Sequence, residues 1–300
     1  MTVTNALAGV RERLGSANVA FDCCDTRFEV SATGHGAESA VERAKRTALT
    51  LAEQLNAFDD GSAVARLNAT GRVENEHVAR VVRRGLAYCD RTDGAFAVRR
   101  GDFEHDLKAY LRSESDSPPD AALASEEGDP STEGAIRVDG DVVTADRPVD
   151  LNGLAKGYVV DRAAAALDGP LRAGFVNGGG DVSELTGPVG IESPYGDETP
   201  LLVLDTDWNV ASSAGYRRRR GAVDHVYDPV DGAVGARHDL VTVVAHRDVM
   251  EADALATTLA ARPLDDTLAL AEEWAGAEAL VVHQGVFHRT GGFQEHVHDA

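Results

Sequence analysis

The order of strand-like and helix-like stretches limits what this chain can fold into more than any other feature of its sequence. Residues 26–32, TRFEVSA, alternate apolar and polar side chains as a strand does, whereas residues 37–57 repeat apolar side chains every three or four positions, as a helix does. Later stretches of both kinds follow in mixed order, without a regular alternation of one strand and one helix. This order predicts the α+β class or an irregular α/β arrangement.

Several other segments carry recognisable local patterns. Helical spacing also marks residues 5–14, 75–92, 250–263 and 263–276. Hairpins are predicted at residues 135–145, where an Asp-Gly pair signals the turn, and at residues 278–290. Residues 224–229, DHVYDP, are predicted to form a strand. Residues 113–134 are rich in proline, serine and acidic residues, which predicts an exposed acidic loop.

The charge balance excludes some partners and favours one environment. Acidic residues outnumber basic residues by 50 to 29, giving a formal net charge of −21. A chain this acidic is a poor candidate for binding nucleic acid or anionic membranes. Only three basic residues are lysines, namely Lys45, Lys108 and Lys156. Acid excess with few lysines favours a halophilic protein, because high salt screens repulsion between exposed carboxylates. The alternative is a merely acidic protein from a GC-rich genome.

Cysteine usage and the start of the sequence predict a cytoplasmic location. The three cysteines, Cys23, Cys24 and Cys89, have neither metal-binding spacing nor the even number of a disulfide framework. Residues 1–16 lack a long apolar segment, a twin arginine and a lipobox cysteine. No later stretch approaches the roughly 18–20 apolar residues that span a bilayer. We therefore expect a soluble, unprocessed protein with no membrane span.

Four short stretches could carry chemistry, and the first is DLNGLAKGYVVDRAAAAL at residues 150–167. Asn152 is a natural N-cap for the helix that follows. Gly153 and Gly157 lack a Cβ atom and permit a close approach to the backbone. Lys156 lies in the first turns of the helix, where a cation becomes favourable if an anion such as a phosphate occupies that end. An ordinary capped helix with an exposed lysine is the alternative.

The second and third stretches could bind phosphate and move protons. In FVNGGGDV, residues 175–182, a strand runs into three glycines, whose N–H groups could form a nest for phosphate oxygens. A tight turn between strands would look the same. In DHVYDPVDG, residues 224–232, His225 and Asp228 lie close together in sequence and could transfer protons or position a substrate. A surface histidine before a turn is the alternative.

The fourth stretch, MEADALATTLAARP at residues 250–263, could bind a metal ion. Asp253 and Thr257 are four residues apart, so a helix places both oxygen-bearing side chains on one face. A buried aspartate is costly unless something pairs with it, and Mg²⁺ accepts oxygen ligands while leaving room for water and phosphate. The alternative is that Asp253 caps the helix. Together the four stretches suit cleavage or transfer of a phosphoryl group with a metal ion.

The same stretches, in the same order, resemble the FAD:protein FMN transferases, the flavin transferase (ApbE) family. The resemblance rests on DLNGLAKGYVVDRAA, FVNGGGDV, HVYDPVDG and EADALATTLA, together with FDDGSAVARLN, DGAF and VASSAGYRRR. It spans about residues 21–293 and implies one flavin transferase domain there, a T-fold-like α+β architecture with mixed sheets packed with helices. Residues 1–20 are then an N-terminal helical extension, and residues 294–300 are a tail.

The resemblance also implies an activity and its partners. Members of this family bind FAD with Mg²⁺ and split its pyrophosphate. They attach FMN through a phosphoester to a threonine of an acceptor protein and release AMP, whereas some members hydrolyse FAD to FMN and AMP. The expected partners are therefore FAD, as substrate, and an acceptor protein carrying a target threonine, with Mg²⁺ as the cofactor. An FAD pyrophosphatase and a flavin nucleotide-binding protein that has lost its chemistry are the alternatives.

Roles for individual residues carry over by position. The resemblance implies that the Gly153 carbonyl, Asp253 and Thr257 hold Mg²⁺. It implies a catalytic group of His225, which activates the acceptor hydroxyl, Lys156, which stabilises charge on the pyrophosphate, and Asp228, which holds the loop. The residues expected to contact FAD are Phe58, Ala95, Phe96, Ala97, Asp150, Lys156, Asn177, Gly179, Gly180, Asp181 and His225.

The sequence departs from the family pattern in three places. DGAF continues as AVRRG where the family usually has D-P-T, and Cys24 stands at the methionine position of an early M-G-T. The middle of the family pattern is shortened and replaced by the acidic stretch near residue 120. Many bacterial members are exported lipoproteins, but this chain lacks their signal, so the cytoplasmic expectation is kept.

Overall fold

The computed structural model describes residues 15–119, 136–184, 187–215, 219–221 and 223–298. The helices are α1 (Ala37–Leu55), α2 (Ala63–Thr70), α3 (Glu76–Arg91), α4 (Gly101–Leu111), α5 (Ala155–Ala165), α6 (Val249–Ala261) and α7 (Leu264–Glu273). The strands are β1 (Ser16–Cys23), β2 (Thr26–Gly34), β3 (Arg72–Glu74), β4 (Arg137–Asp139), β5 (Val142–Thr144), β6 (Leu171–Gly178), β7 (Val182–Glu184), β8 (Val189–Ile191), β9 (Leu202–Leu204), β10 (Asn209–Ser213), β11 (Arg219–Arg220), β12 (Val223–Asp224), β13 (Leu240–Ala245), β14 (Ala277–His283) and β15 (Val286–Arg289).

A large antiparallel sheet forms the frame of the molecule. Its strands follow the order β1-β2-β6-β7-β10-β13-β14-β15, and smaller sheets are formed by β3-β5-β4, β8-β9 and β11-β12. Every neighbouring pair in the large sheet is antiparallel. The combination of this sheet with segregated helices confirms the α+β prediction.

Three helices pack together on the sheet and form the main core. Helix α1 packs against β1, β2 and α5, while α6 packs against α5, β10 and β13. Helix α1 buries a stripe of residues at three- and four-residue spacing, as an amphipathic helix does. Helix α6 is different, because every residue in it except Thr257 is buried. A helix that is apolar nearly all round is a core element, and its one half-buried residue faces the cavity described below.

Helices α5 and α6 are held together by reciprocal hydrogen bonds. Asp161 of α5 accepts the N–H groups of Val249 and Met250 in the first turn of α6, at 2.9 and 3.0 Å. Asp253 of α6 accepts the N–H of Gly157 in the first turn of α5, at 3.0 Å. Each helix therefore supplies a carboxylate for N–H groups that have no partner within the other helix.

This arrangement makes the stability of the protein depend on the protonation of Asp161. Burial raises the pKa of Asp161 to about 7, although the two N–H donors favour the ionised form. Between about pH 4 and pH 7, Asp161 is therefore protonated in the folded protein and ionised in the unfolded chain. The contribution of Asp161 to the free energy of unfolding falls as the pH rises through this range. Urea titrations should show the free energy of unfolding of the wild type, relative to Asp161→Asn, falling by more than about 1 kcal/mol across this range. Parallel pH curves for the two proteins would contradict the expectation.

Most of the predicted elements are present. The helical patterns at residues 37–57 and 75–92 correspond to α1 and α3, and the two C-terminal patterns correspond to α6 and α7. Both predicted hairpins are formed, as β4-β5 and as β14-β15. Among the described residues, no helix has both the length and the apolar composition that a membrane crossing requires.

Five expectations differ from the structure or lie outside the described residues. The predicted strand at residues 224–229 is mostly an irregular loop, because Asp224 alone belongs to a strand and Tyr227 forms an isolated bridge. The predicted boundary at residue 20 falls inside β1. In the C-terminal tail, Val297 forms an isolated bridge with Leu204, and the His298 N–H donates to the Val203 carbonyl at 2.9 Å. Residues 5–14 and most of the acidic loop, 120–134, lie outside the described residues.

Candidate active site

One cavity of about 790 Å³ brings the four chemistry-bearing stretches together. Its walls come from the α1–α2 connection, helix α4, the start of α5, the β6–β7 turn, the segment around His225 and helix α6. The predicted site residues that line it are Phe58, Ala95, Phe96, Ala97, Asp150, Gly153, Lys156, Asn177, Gly179, Gly180, His225, Asp253 and Thr257. The other two, Asp181 and Asp228, are fully buried behind the wall.

Lys156 lies between two buried carboxylates at the wall of the cavity. Its ammonium donates a hydrogen bond to Asp181 Oδ2 and lies 3.5 Å from Asp253 Oδ1. Asp181 is 0% exposed and Asp253 is 3% exposed. Burial raises the pKa of Asp181 well above its usual range, the neighbouring Asp253 carboxylate adds to this, and Lys156 opposes it. One ammonium thus compensates two acids that water does not solvate.

The start of helix α5 differs from the predicted N-cap. Leu154 is the N-cap residue and makes no side-chain cap. Asn152 instead points its amide N–H groups at Glu104 and Asp150, both at 2.6 Å. The prediction of an Asn152 cap is therefore wrong, because two buried acids compete for its amide. The first turn of α5 receives its anion from Asp253 of α6.

Two of the residues predicted to hold a metal ion, Gly153 and Thr257, pack against each other, and Asp253 lines the same cavity. Gly153 has a left-handed φ of 79°, and a Cβ atom there would lie 3.1 Å from Thr257 Oγ1. Only glycine lets these two segments approach so closely without strain. Asp253 does not cap α6; Asp248 does so, accepting the N–H of Glu251 at 2.9 Å. Asp253 therefore lies inside α6 beside the cavity, and its role as a metal ligand stays a prediction.

The donor set suits a hard divalent cation. Carboxylate, hydroxyl and carbonyl oxygens are the ligands that Mg²⁺ prefers. Asp181 Oδ1 is buried and has no hydrogen-bond partner in the described part of the chain, so an oxygen beside the predicted ligands remains unsatisfied. Within those same ranges no three histidine, cysteine or acidic side chains gather as a metal cluster. The predicted ligands are the Gly153 carbonyl, Asp253 and Thr257. Only Asp253 is an acidic side chain, so these ligands would not form a cluster of that composition.

The glycine stretch forms the turn between β6 and β7. Gly179 and Gly180 have φ angles of 69° and 108°, and Asn177 Oδ1 accepts the N–H of Gly180 at 3.0 Å. A Cβ atom on Gly179 would lie 2.2 Å from Thr26 Oγ1, so the first residue of β2 packs directly against it. The stretch is therefore a tight turn between strands, and it also lines the cavity.

His225 and Asp228 occupy different positions relative to the cavity. His225 lines it, whereas Asp228 is fully buried. Asp228 accepts the N–H of Val230 at 2.8 Å and a hydrogen bond from Arg262 at 2.9 Å. These contacts fit the expected loop-holding role of Asp228 and leave it behind the lining residues.

Helix α4 contributes site residues that the sequence reasoning missed. Glu104 and Lys108 line the cavity, and Lys108 donates to Asn152 Oδ1 at 2.8 Å. Burial raises the pKa of Asp150, and Lys108 is the strongest opposing influence. Tyr227 donates its hydroxyl to Asp150 Oδ2 at 3.1 Å. These residues form a continuous polar network along one wall.

A detectable signal for α4 existed in the sequence. Phe103, Leu107 and Leu111 are spaced four residues apart, as on one face of a helix, and the first two are buried. The helix also covers Phe58, whose ring centroid lies 4.4 Å from Lys108 Nζ and 4.9 Å from the Arg112 guanidinium carbon. The predicted flavin or adenine contact at Phe58 would therefore share its ring with two cations.

Cys24 is a further lining residue without a predicted role. It occupies the two-residue turn between β1 and β2 with a left-handed φ of 53°. Its sulfur lies 3.8 Å from that of Cys23. The hydrogen bond between the Cys23 and Cys24 thiols lowers the pKa of Cys24, burial opposes this, and Lys156 lowers it further. The departure from methionine at this position thus places a thiol in the cavity wall.

Comparison with solved structures identifies the fold. The chain is similar to the ApbE protein of Thermotoga maritima, with 23% identity, a TM-score of 0.79 and coverage of 95% of this chain and 100% of that one. It is also similar to the flavin transferase ApbE of Vibrio cholerae, with 20% identity and a TM-score of 0.77, covering 94% and 99% of the two chains. The apo flavinyl transferase ApbE of Pseudomonas stutzeri gives 22% identity and a TM-score of 0.76, covering 95% and 98%. The fold is therefore the one that these proteins share.

Sequence comparison assigns the family. The model of the ApbE family matches residues 24–281, and the chain belongs to that family. A curated relative, the FAD:protein FMN transferase of Treponema pallidum, is 31% identical over an alignment that covers 45% of this chain. The alignment spans 43% of that relative, less than half its length.

Proposed function

We propose that this protein is a Mg²⁺-dependent FAD:protein FMN transferase. It cleaves FAD, attaches FMN through a phosphoester to a threonine of an acceptor protein and releases AMP. One observation carries the proposal: a single cavity is lined by the α5 lysine, the β6–β7 glycine turn, His225 and the Asp253–Thr257 face of α6. Membership of the ApbE family and the name of the Treponema pallidum relative support the same reaction.

The diphosphate is assigned to the space between Lys156 and the glycine turn. Gly179 and Gly180 line the cavity and carry no side chains, so phosphate oxygens can approach the backbone of this turn closely. Lys156 lies beside this turn, because it bonds to Asp181, which directly follows Gly180. Its compact charge stabilises the negative charge that develops as the diphosphate breaks. Asp181 keeps that ammonium in place.

His225 is assigned as the general base. A threonine hydroxyl of the acceptor attacks the phosphorus atom on the FMN side of FAD, and His225 accepts the hydroxyl proton. A bond then forms between the threonine oxygen and that phosphorus, while the bond to the bridging oxygen breaks and AMP leaves with that oxygen. Asp228 acts as a positioning residue, since it anchors the following turn to Arg262.

Mg²⁺ is assigned to the Gly153 carbonyl, Asp253 and Thr257. When bound there, it would neutralise charge on the diphosphate as the bond breaks. The protein's own contribution is to hold these three groups together, with Gly153 packed against Thr257 and one Asp253 oxygen fixed by the Gly157 N–H.

The proposal is tested by incubating the protein with FAD, Mg²⁺ and an acceptor protein that has an accessible threonine, and by measuring AMP release and acceptor labelling. The wild type should release AMP and make a fluorescent acceptor band on a denaturing gel, and Asp253→Ala should lower AMP release at least about 100-fold. Glu272→Ala, which removes an exposed carboxylate on α7, is the matched control and should keep the wild-type rate. Release of FMN and AMP without a labelled acceptor would support a pyrophosphatase instead. An unaffected Asp253→Ala enzyme, or no FAD turnover at all, would refute the proposal.

The salt conditions and the cellular location are proposed from composition, and the domain bounds are proposed from the family resemblance. The net charge of −21 with three lysines favours work at high salt, and the cysteine pattern favours the cytoplasm. The flavin transferase domain is proposed to span residues 21–293, and β1 begins before that range, at Ser16.

A further inference from the structure

We propose that Lys156 is a built-in counter-cation for the Asp181–Asp253 pair, and that it releases Asp253 when a divalent cation binds. The inference rests on the proposed function and deepens its metal site. It adds Asp181 as the residue that retains the lysine, and it makes Lys156 a competitor of the metal ion for one carboxylate oxygen.

The two oxygens of Asp253 are not equivalent. Oδ2 accepts the N–H of Gly157 at 3.0 Å, a bond that also joins helices α5 and α6. Oδ1 faces the ammonium of Lys156 at 3.5 Å. We assign the cation to Oδ1, because Oδ2 already accepts the N–H that joins the helices. That oxygen is the one towards which Lys156 points.

Lys156 is held unequally by its two acids. It donates a hydrogen bond to Asp181 Oδ2, whereas its 3.5 Å contact with Asp253 is at the limit of a hydrogen bond. Asp181 is completely buried, and its Oδ1 has no other partner among the described residues, so it depends on this lysine for charge compensation. The weaker contact is the one that would be given up, and the stronger one would keep the ammonium beside the cavity.

Charge explains why a divalent cation would displace Lys156 from Asp253 and why this exchange would be reversible. A divalent cation would bring two positive charges to a place where two buried acids lie near one ammonium. The same ammonium repels that cation, so affinity is lower than two acids alone would give. When no metal ion is bound, Lys156 compensates Asp181 and Asp253, so the metal-free protein does not bury two uncompensated acids. A lysine suits this role, because its single flexible ammonium can leave one acid and keep the other, whereas an arginine fork tends to bind both.

Binding of Mn²⁺ alone, without FAD, tests the competition. The free Mn²⁺ signal in electron paramagnetic resonance measures the dissociation constant directly. Lys156→Met should bind Mn²⁺ at least about tenfold more tightly than the wild type, and Asp181→Asn should bind it more weakly. Lys45→Met removes the same charge on α1, outside the cavity lining, and should stay within about twofold of the wild type. Unchanged or weaker binding by Lys156→Met would overturn the inference.

A second measurement uses only the wild type and covers the case in which Lys156→Met does not fold. Slow acylation of amines followed by mass spectrometry reports on each of the three lysines separately. Mg²⁺ should raise the acylation rate of Lys156 several-fold, because the ammonium loses one of its two carboxylates, while the rate at Lys45 should not change. A Lys156 rate that is constant or falls on Mg²⁺ addition would count against the exchange.

The outcomes separate this inference from the proposed function. Flavin transfer by the wild type with no tightening in Lys156→Met would remove the competition and leave the reaction intact. Tightening in Lys156→Met without FAD turnover by the wild type would remove the reaction and leave the competition intact. Failure of both proteins to bind Mn²⁺ would overturn the competition together with the metal part of the proposed function.

Discussion

His225→Asn should lower the turnover number for flavin transfer by about 10²–10⁴-fold, the range that a lost general base usually costs. Asparagine keeps a similar size and polarity at residue 225 but cannot accept a proton at neutral pH. The KM for FAD should change little, because the diphosphate is assigned to Lys156 and the glycine turn. Initial rates of AMP release and of acceptor fluorescence, measured over FAD concentration and pH, provide the test.

The control for this variant is His35→Asn, which changes an exposed histidine between β2 and α1. It should keep the wild-type rate and the wild-type pH profile. In the His225→Asn protein, the limb of the profile that reports the base should disappear. A raised KM with an unchanged turnover number would instead make His225 a binding residue. A full rate would remove it from the mechanism.

Gly157→Ala should destabilise the protein by about 1–3 kcal/mol, even though alanine in a helix is normally worth up to about 1 kcal/mol more than glycine. An added Cβ atom would lie 2.8 Å from both Met250 Cα and Val249 O. Both are backbone atoms in the first turn of helix α6, so the rotation of a side chain cannot make room. The two helices must separate, and the bond from the Gly157 N–H to Asp253 should weaken with them.

Urea denaturation of Gly157→Ala and Gly291→Ala gives a matched comparison. A Cβ atom on Gly291 meets nothing within 4 Å, and its backbone is not left-handed, so that variant should be near neutral. Mn²⁺ binding by Gly157→Ala should also weaken, because one oxygen of Asp253 loses its fixed orientation. Equal stability of the two variants would show that the α5–α6 crossing tolerates a larger separation than the structure indicates.

Local pattern was sufficient to predict much of this fold. The apolar spacing of α1, α3, α6 and α7 and the Asp-Gly turn of the β4-β5 hairpin are short-range signals, and each produced the expected element. Helix α4 was missed because its apolar face is narrow, with only Phe103 and Leu107 fully buried on it. The strand predicted at 224–229 failed because Asp224 and Asp228 both bond to backbone N–H groups two residues on, which favours turns.

Side-chain partners within the site were less predictable than its members. Spacing identified Asp253 and Thr257 as a pair on one helix face, which the structure bears out geometrically. It could not show that Asn152 would leave the helix cap for Glu104, 48 positions away in sequence. Nor could it show that Lys156 would bond to Asp181. Such choices depend on which buried charges the fold brings together, and local sequence contains no record of that.

Asp253 performs two tasks at once, since one of its oxygens fastens helix α5 while the other faces the cavity. A descendant that had lost all activity would still need this aspartate to keep its two central helices in register. Retention of an acid at residue 253 is therefore a poor sign that a relative remains an active enzyme. Residue 225, the proposed general base, is the more informative one to inspect when such sequences are sorted.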